Sequence, residues 1–398
     1  MIIESLPPLQ RSPRRRWFRE LEDRRLVVSN ITPNWYASVM GTGIVANASA
    51  TLPLQFPGLR VAGTVVWVAA SALLIVLTVA TVLHWMRFRA TALSHHRHAV
   101  MAHFYGAPPM ALLTVGAGTL LLGKDVVGEA AAVTIDATLW TLGTVLGLLS
   151  AVAIPYLTFT RQAGADDRAG DSAHNAAGDS AFGGWLMPVV PPMVSAATGA
   201  LLLPYVPAGQ PRLTMLLFCY GMFGLSLLAS LIIITLIWAR LARLSIGAAA
   251  MVPTLWIVLG PLGQSITAVN LLGGNAHLVV DPMWAHALEL FGVVYGVPVL
   301  GFALLWGALA IGITVRTARI GMPFALTWWS FTFPVGTCVT GVTALALHTG
   351  SDALDVLAVV LFAGLVAAWG IVATRTFHGA IVRGTLLAPP ASVPAPAS

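Results

Sequence analysis

Ten apolar runs, nearly free of charge, take up most of this 398-residue chain. They fall at about 34–53, 61–86, 98–122, 130–160, 184–205, 212–240, 251–273, 284–315, 324–348 and 352–377. A helix of about 20 mostly apolar residues crosses the hydrocarbon core of a bilayer. The pattern therefore predicts an all-α integral membrane protein with ten transmembrane helices, the longer runs leaving room for tilt. Only 9% of the residues are charged and 57% are hydrophobic, against roughly 25% charged in a soluble domain. That balance excludes a soluble globular enzyme.

The few charges are distributed unevenly. Lys and Arg number 21 against 15 Asp and Glu, a net charge of +6. With ten spans, 18 of the basic residues fall on the side of the two termini and only Arg60, Lys124 and Arg212 on the other. Such a bias orients membrane helices with the basic side in the cytoplasm. Both termini are expected there, in a multi-pass protein of the cell (plasma) membrane, and nucleic acid drops out as the explanation of the charge. Residues 1–30 read as a basic cytoplasmic arm without a signal-peptide cleavage site, and 31–378 as the membrane domain. Residues 163–182, rich in Ala, Gly, Asp and Ser, read as a flexible cytoplasmic loop. Residues 379–398, which include the Pro/Ala-rich stretch APPASVPAPAS, read as a disordered tail.

Helix breakers recur in the odd-numbered runs. Gly41 and Gly43 sit in the first, Pro108–Pro109 in the third, Pro188 and Pro191–Pro192 in the fifth, Gly260–Pro261 and Gly263 in the seventh, and Pro334 in the ninth. The spacing, close to 70 residues apart from one longer interval across the Asp-rich loop, reads as five helical hairpins. Each pairs a broken helix with a straighter one. Broken backbone at membrane depth is tolerated only against protein or a water-filled cavity, so the five broken helices are expected to surround a central pathway.

Hydroxyls and amides recur on these helices at helical spacing: Ser38, Thr42 and Ser49; Pro191, Ser195 and Thr198; Gln264, Thr267 and Asn270; Ser330, Thr337 and Thr340. With Pro108 and Pro261 at the breaks, they are the candidate pathway lining, although small and hydroxylated residues also serve simply to pack helices. No Arg or Lys lies in the middle of a run, so the lining offers neutral donors that bind anions weakly, as rapid permeation requires. His103, at the start of the third run, is a candidate for the inner mouth and for pH sensing. Asp136 and Glu289, near the outer ends of even-numbered runs, are expected at the interface or in interhelix pairs. In the ninth run, Phe333 sets a bulky ring on an otherwise small, polar face while Phe331 points elsewhere, which makes Phe333 a candidate plug. His84, His95 and His96 cluster without a metal-binding spacing. No HExxH, GxSxG or phosphate loop is present, so no catalytic residue, cofactor or metal is assigned and a membrane-embedded enzyme is disfavoured. Cys219 and Cys338 lie in apolar runs, which argues against a disulfide framework.

The stretches NWYASVMGTGIVA, WLMPVVPPMVSAATGALL, VPTLWIVLGPLGQS and WWSFTFPVGT resemble the tellurite-resistance/dicarboxylate transporter family. The resemblance covers about residues 30–378. It implies ten helices as five hairpins around a quasi-fivefold pore, one pore per subunit, in a homotrimer. It also implies an occluding phenylalanine in the ninth helix, a role that falls on Phe333. The expected activity is movement of small anions (C4-dicarboxylates such as malate, sulfite or inorganic anions) across the lipid bilayer, as a channel or as a proton-coupled dicarboxylate carrier.

Overall fold

The computed structural model describes residues 17–21, 24–169 and 181–388, with residues 24–25 and 161–169 as backbone only. Ten main helices alternate along it. The odd-numbered ones are α1 (Tyr36–Thr51), α3 (Ala107–Gly118), α5 (Pro191–Leu202), α7 (Leu259–Asn275) and α9 (Phe333–Thr349). The even-numbered ones are α2 (Leu59–Arg87), α4 (Glu129–Ala169), α6 (Gln210–Arg243), α8 (Pro282–Ile320) and α10 (Asp352–Phe377). Eight helical segments, counted with their flanking turns, are long and apolar enough to cross a membrane. The first and fifth expected spans contribute shorter α-helices of 16 and 12 residues.

The odd helices form a closed ring. α1 packs on α3, α3 on α5, α5 on α7, α7 on α9, and α9 returns to α1. Each even helix lies outside this ring, against its own odd partner and the next one round: α2 on α1 and α3, α4 on α3 and α5, and so on to α10 on α9 and α1. Burial follows. Among the eight long segments, those containing α3, α7 and α9 are at least 67% buried and those of the even helices at most 33%. Three indoles cross the seams, donating to the next odd segment. Trp67 Nε1 reaches Thr119 Oγ1 just beyond α3 at 3.2 Å, Trp140 Nε1 reaches the Ser195 carbonyl at 2.9 Å, and Trp369 Nε1 reaches Thr42 Oγ1 at 3.2 Å.

Every odd helix follows a 3-10 segment: Pro33–Trp35, Met101–Gly106, Gly183–Leu186, Ala249–Val258 and Leu326–Phe331. The α-helices begin at residues 36, 107, 191, 259 and 333, intervals of 71, 84, 68 and 74. The prolines are thus starts rather than kinks. In the first turn a missing N–H costs nothing, because that group has no intrahelical acceptor. The first helix departs from expectation, since Gly41 and Gly43 lie within an unbroken α1 and the break falls at Trp35/Tyr36. Glycine keeps its N–H, so it weakens a helix without interrupting it. Gly41 serves contact instead: a Cβ there would meet the Trp329 ring at 2.7 Å.

Two boundaries also shift. Backbone helix continues through residues 163–169, and Ala181 and Phe182 are buried; the rest of the expected loop, residues 170–180, lies outside the described residues, as do 1–16, 22–23 and 389–398. The tail does not begin at 379. The amides of Phe18, Arg19 and Glu20 donate in succession to the carbonyls of Ile381, Val382 and Arg383 at 2.9, 3.2 and 2.8 Å. These are terminal carbonyls of the turn His378–Arg383 that follows α10, which lack intrahelical donors. Arg383 Nε also donates to Glu20 Oε1 at 2.7 Å. The arm and the start of the tail are therefore clasped.

Candidate functional site

Two cavities lie inside the ring, and each is lined by all five odd segments. The first, about 20 Å³, sits at the 3-10/α junctions among Met40, Phe104, Val190, Gly260, Ser330 and Phe333. It has room for about one water. The second, about 90 Å³, lies further along the helices, with Asn47, Thr198, Gln264, Thr267, Thr340 and Thr343 in its wall. They share no lining residue. Phe333, 3% exposed, belongs to the first, and seven residues, about 10 Å of helix, separate it from Thr340.

Among the described residues no charged side chain lines either cavity. Five α-helices start around the first, so the positive ends of their peptide dipoles face it. In the second, Thr267 and Thr340 bond each other at 2.8 Å. Asn47 Oδ1, Gln264 Oε1 and Thr343 Oγ1 are buried with no partner among the described residues. An unpaired buried polar atom costs free energy, so this wall is suited to water or a polar solute. Rotation of the Gln264 amide presents either donor or acceptor.

Of the lining candidates read from the sequence, Thr198, Gln264, Thr267 and Thr340 border the second cavity, and Ser330 and Phe333 the first. The other ten border neither. Ser38 donates to its own helix at Trp35 O, 2.6 Å away. Thr42 accepts from Trp369 on α10. Ser195 faces α4, where Thr144 Oγ1 donates to its hydroxyl at 3.0 Å, and Pro191 lies against Gly147 of the same helix. Thr337 is turned into the α7–α9 seam, among the carbonyls of Pro334 at 2.7 Å and of Leu259 and Gly260 at 3.3 Å. Pro108 and Pro261 occupy first-turn positions outside both walls. His103 is buried, stacked on Trp185 at 6.0 Å and edge-on to Phe182 at 5.6 Å. The sequence reading passed over Asn47, Thr51 and Thr343. With Ile44, the first two continue the stripe Ala37, Met40, Ile44, Asn47, Thr51, which has helical spacing but little polarity.

Asp136 departs furthest from expectation. It is fully buried rather than interfacial, with neither carboxylate oxygen bonded among the described residues. Gly116 on α3 leaves the room: a Cβ there would lie 2.5 Å from Asp136 Oδ1. Glu289 does pair between helices, 3.8 Å from His348 on α9 and 3.9 Å from His286 on its own helix. Among the described residues no group of three His, Cys, Asp or Glu could hold a metal ion, and both cysteines are free and buried.

At the opposite end, His84 and His95 stack at 5.4 Å. His95 lies in the short helix Arg89–Arg97. Burial, with smaller contributions from His84, His96 and His98, pushes its imidazole down to about 4 from an ordinary 6.5. The unfolded chain therefore takes up this proton first. Stability is expected to be unaffected above pH 6.5 and to fall as the pH drops from 6.5 toward 4. Melting in detergent across that range should show the loss, and His95→Asn should lessen it.

A closed ring of buried helices with uncharged axial cavities, sheathed by apolar helices, defines a membrane transport protein. Residues 30–377 match the model of the SLAC1 voltage-dependent anion channel family, and the chain belongs to this family of membrane anion transporters. It is 26% identical over 321 residues to an uncharacterized transporter of Methanocaldococcus jannaschii, covering 80% of this chain and 84% of that one. It is 25% identical over 365 residues to the sulfite efflux pumps of Arthroderma otae and Trichophyton rubrum, covering 89% of this chain and 92% of each pump.

Proposed function

We propose that the chain is an anion channel or facilitator with ten spans, cytoplasmic termini and a homotrimeric assembly, in which the Phe333 ring closes a conduit along the ring axis. The observation that carries this is the pair of uncharged cavities separated along the axis. One is surrounded by helix N-termini and bordered by Phe333, and the other is walled by hydroxyls and amides. Helix dipoles attract an anion without the deep well that a cationic side chain would create, and shallow wells favour turnover. Sulfite is the first candidate substrate, in keeping with the sulfite efflux pumps among its relatives, with malate and the inorganic anions nitrate and chloride after it. A reversal-potential series with purified protein in planar bilayers, exchanging sulfite, malate, nitrate and chloride, tests this. Selective anion currents are expected, and cation selectivity or absence of current would overturn the proposal.

A proton-coupled carrier is the second reading, favoured by the buried carboxyl of Asp136 behind α3, which has no hydrogen-bond partner among the described residues. It requires malate to accumulate against its gradient in vesicles, uncouplers to abolish that accumulation, and Asp136→Asn to remove it. Conductance independent of a proton gradient eliminates this reading.

A further inference from the structure

A larger cavity lies outside the ring. It is a groove of about 530 Å³ between the outer helices α8 and α10, reaching inward to Leu259, Phe331, Val335 and Cys338. Its walls are apolar, and its one hydroxyl, Thr314, accepts a hydrogen bond from Trp256 Nε1 at 2.9 Å. The wall formed by α10 runs from Val360 through Gly364 and Ala368 to Ile371 and Val372. The next position on that stripe is Arg375. Its guanidinium lies 4.8 Å over the ring of Trp328, itself part of the groove. Arg375 is exposed and forms no ion pair among the described residues.

We propose that this groove binds an anionic membrane phospholipid, with an acyl chain along the α8–α10 cleft and the phosphate at Arg375. The length fits. From Val360 to Arg375 is 15 residues, about 22 Å of helix, enough to take a chain spanning one leaflet, about 15 Å of hydrocarbon. The charge fits as well, since a cation with no ion-pair partner among the described residues closes an otherwise apolar groove on the side that carries the basic loops, where anionic lipids concentrate in the cytoplasmic leaflet. A chain seated there rests on Phe331 and Val335, which flank Phe333 in sequence, and so backs the corner where α9 begins. The binding itself does not depend on how Phe333 acts.

Native mass spectrometry of the full-length protein in detergent, supplied with phosphatidylglycerol or phosphatidylcholine, tests the site. Wild type should retain phosphatidylglycerol in preference. Arg375→Ala should lower that retention about fivefold, the share of one surface cation, and Arg375→Lys should restore most of it. Gly364→Trp fills the groove where a Cβ meets nothing within 4 Å, so it should fold normally and exclude either lipid. Equal retention of the two lipids would overturn the proposal, as would retention unchanged in Arg375→Ala or in Gly364→Trp. Oxidative cross-linking of Gly364→Cys between copies would show instead that a second protein chain occupies the groove.

Discussion

Phe333→Ala is expected to raise anion conductance about tenfold or more in planar bilayers, equivalent to removing at least ~1.4 kcal/mol from the permeation barrier. The ring borders the smaller cavity, about 20 Å³, where no charged group offsets the cost of stripping water from an ion. Alanine removes both the steric block and an apolar surface that favours drying. Phe331→Ala is the matched control. Its ring lies outside the axis in the α8–α10 groove, edge-on to Trp256 at 5.3 Å and Trp328 at 5.6 Å, so conductance should change far less. Unchanged current in Phe333→Ala, or a larger effect from Phe331→Ala, would remove Phe333 from the role of plug.

Gly263→Leu is expected to abolish assembly of the ring. A Cβ at Gly263 would lie 2.5 Å from the amide nitrogen of Cys338 and 2.7 Å from the carbonyl oxygen of Thr337. Those are backbone atoms of α9, which cannot rotate away as a side chain can. From the other side, a Cβ at Gly341 would lie 2.7 Å from the Gly263 carbonyl oxygen. The two helices touch through their backbones, the close approach that small residues permit in membranes. Leucine there must part α7 from α9, at a cost of about 3 kcal/mol or more. Size-exclusion chromatography in detergent should show aggregation, whereas Gly260→Ala, at a position open to a Cβ, should leave the profile unchanged.

The hairpin architecture was legible in the sequence because it rests on local chemistry: apolar length gives the long helices, and proline marks helix starts. Proline and glycine are not equivalent as breakers, however. In the first segment the break falls at Trp35/Tyr36, and Gly41, which keeps its N–H, does not interrupt α1. The same logic explains the partial reading of the lining. On α7, polarity and helical period coincide, so Gln264 and Thr267 were found. On α1 they diverge, because Ser38 and Ser49 spend their hydroxyls on carbonyls three residues back. Thr42 faces an indole from α10, leaving a largely apolar stripe to face the axis. Which face of a helix meets the axis depends on its neighbours round the ring. The closing contact between α9 and α1 joins segments almost 300 residues apart, and no local pattern encodes it.

The way each outer helix lies across two inner ones limits how such a ring can change shape. A barrel of independent staves widens by parting at one joint. Here every joint is lapped by a helix anchored on both sides, so opening one displaces a lapping helix and strains the next joint, all the way round. Dilation of the whole ring is a collective motion on the microsecond-to-millisecond scale, whereas the swing of one aromatic side chain is local. In a molecule bound in this way, a pathway along the axis is regulated most readily by what one ring does inside a fixed frame.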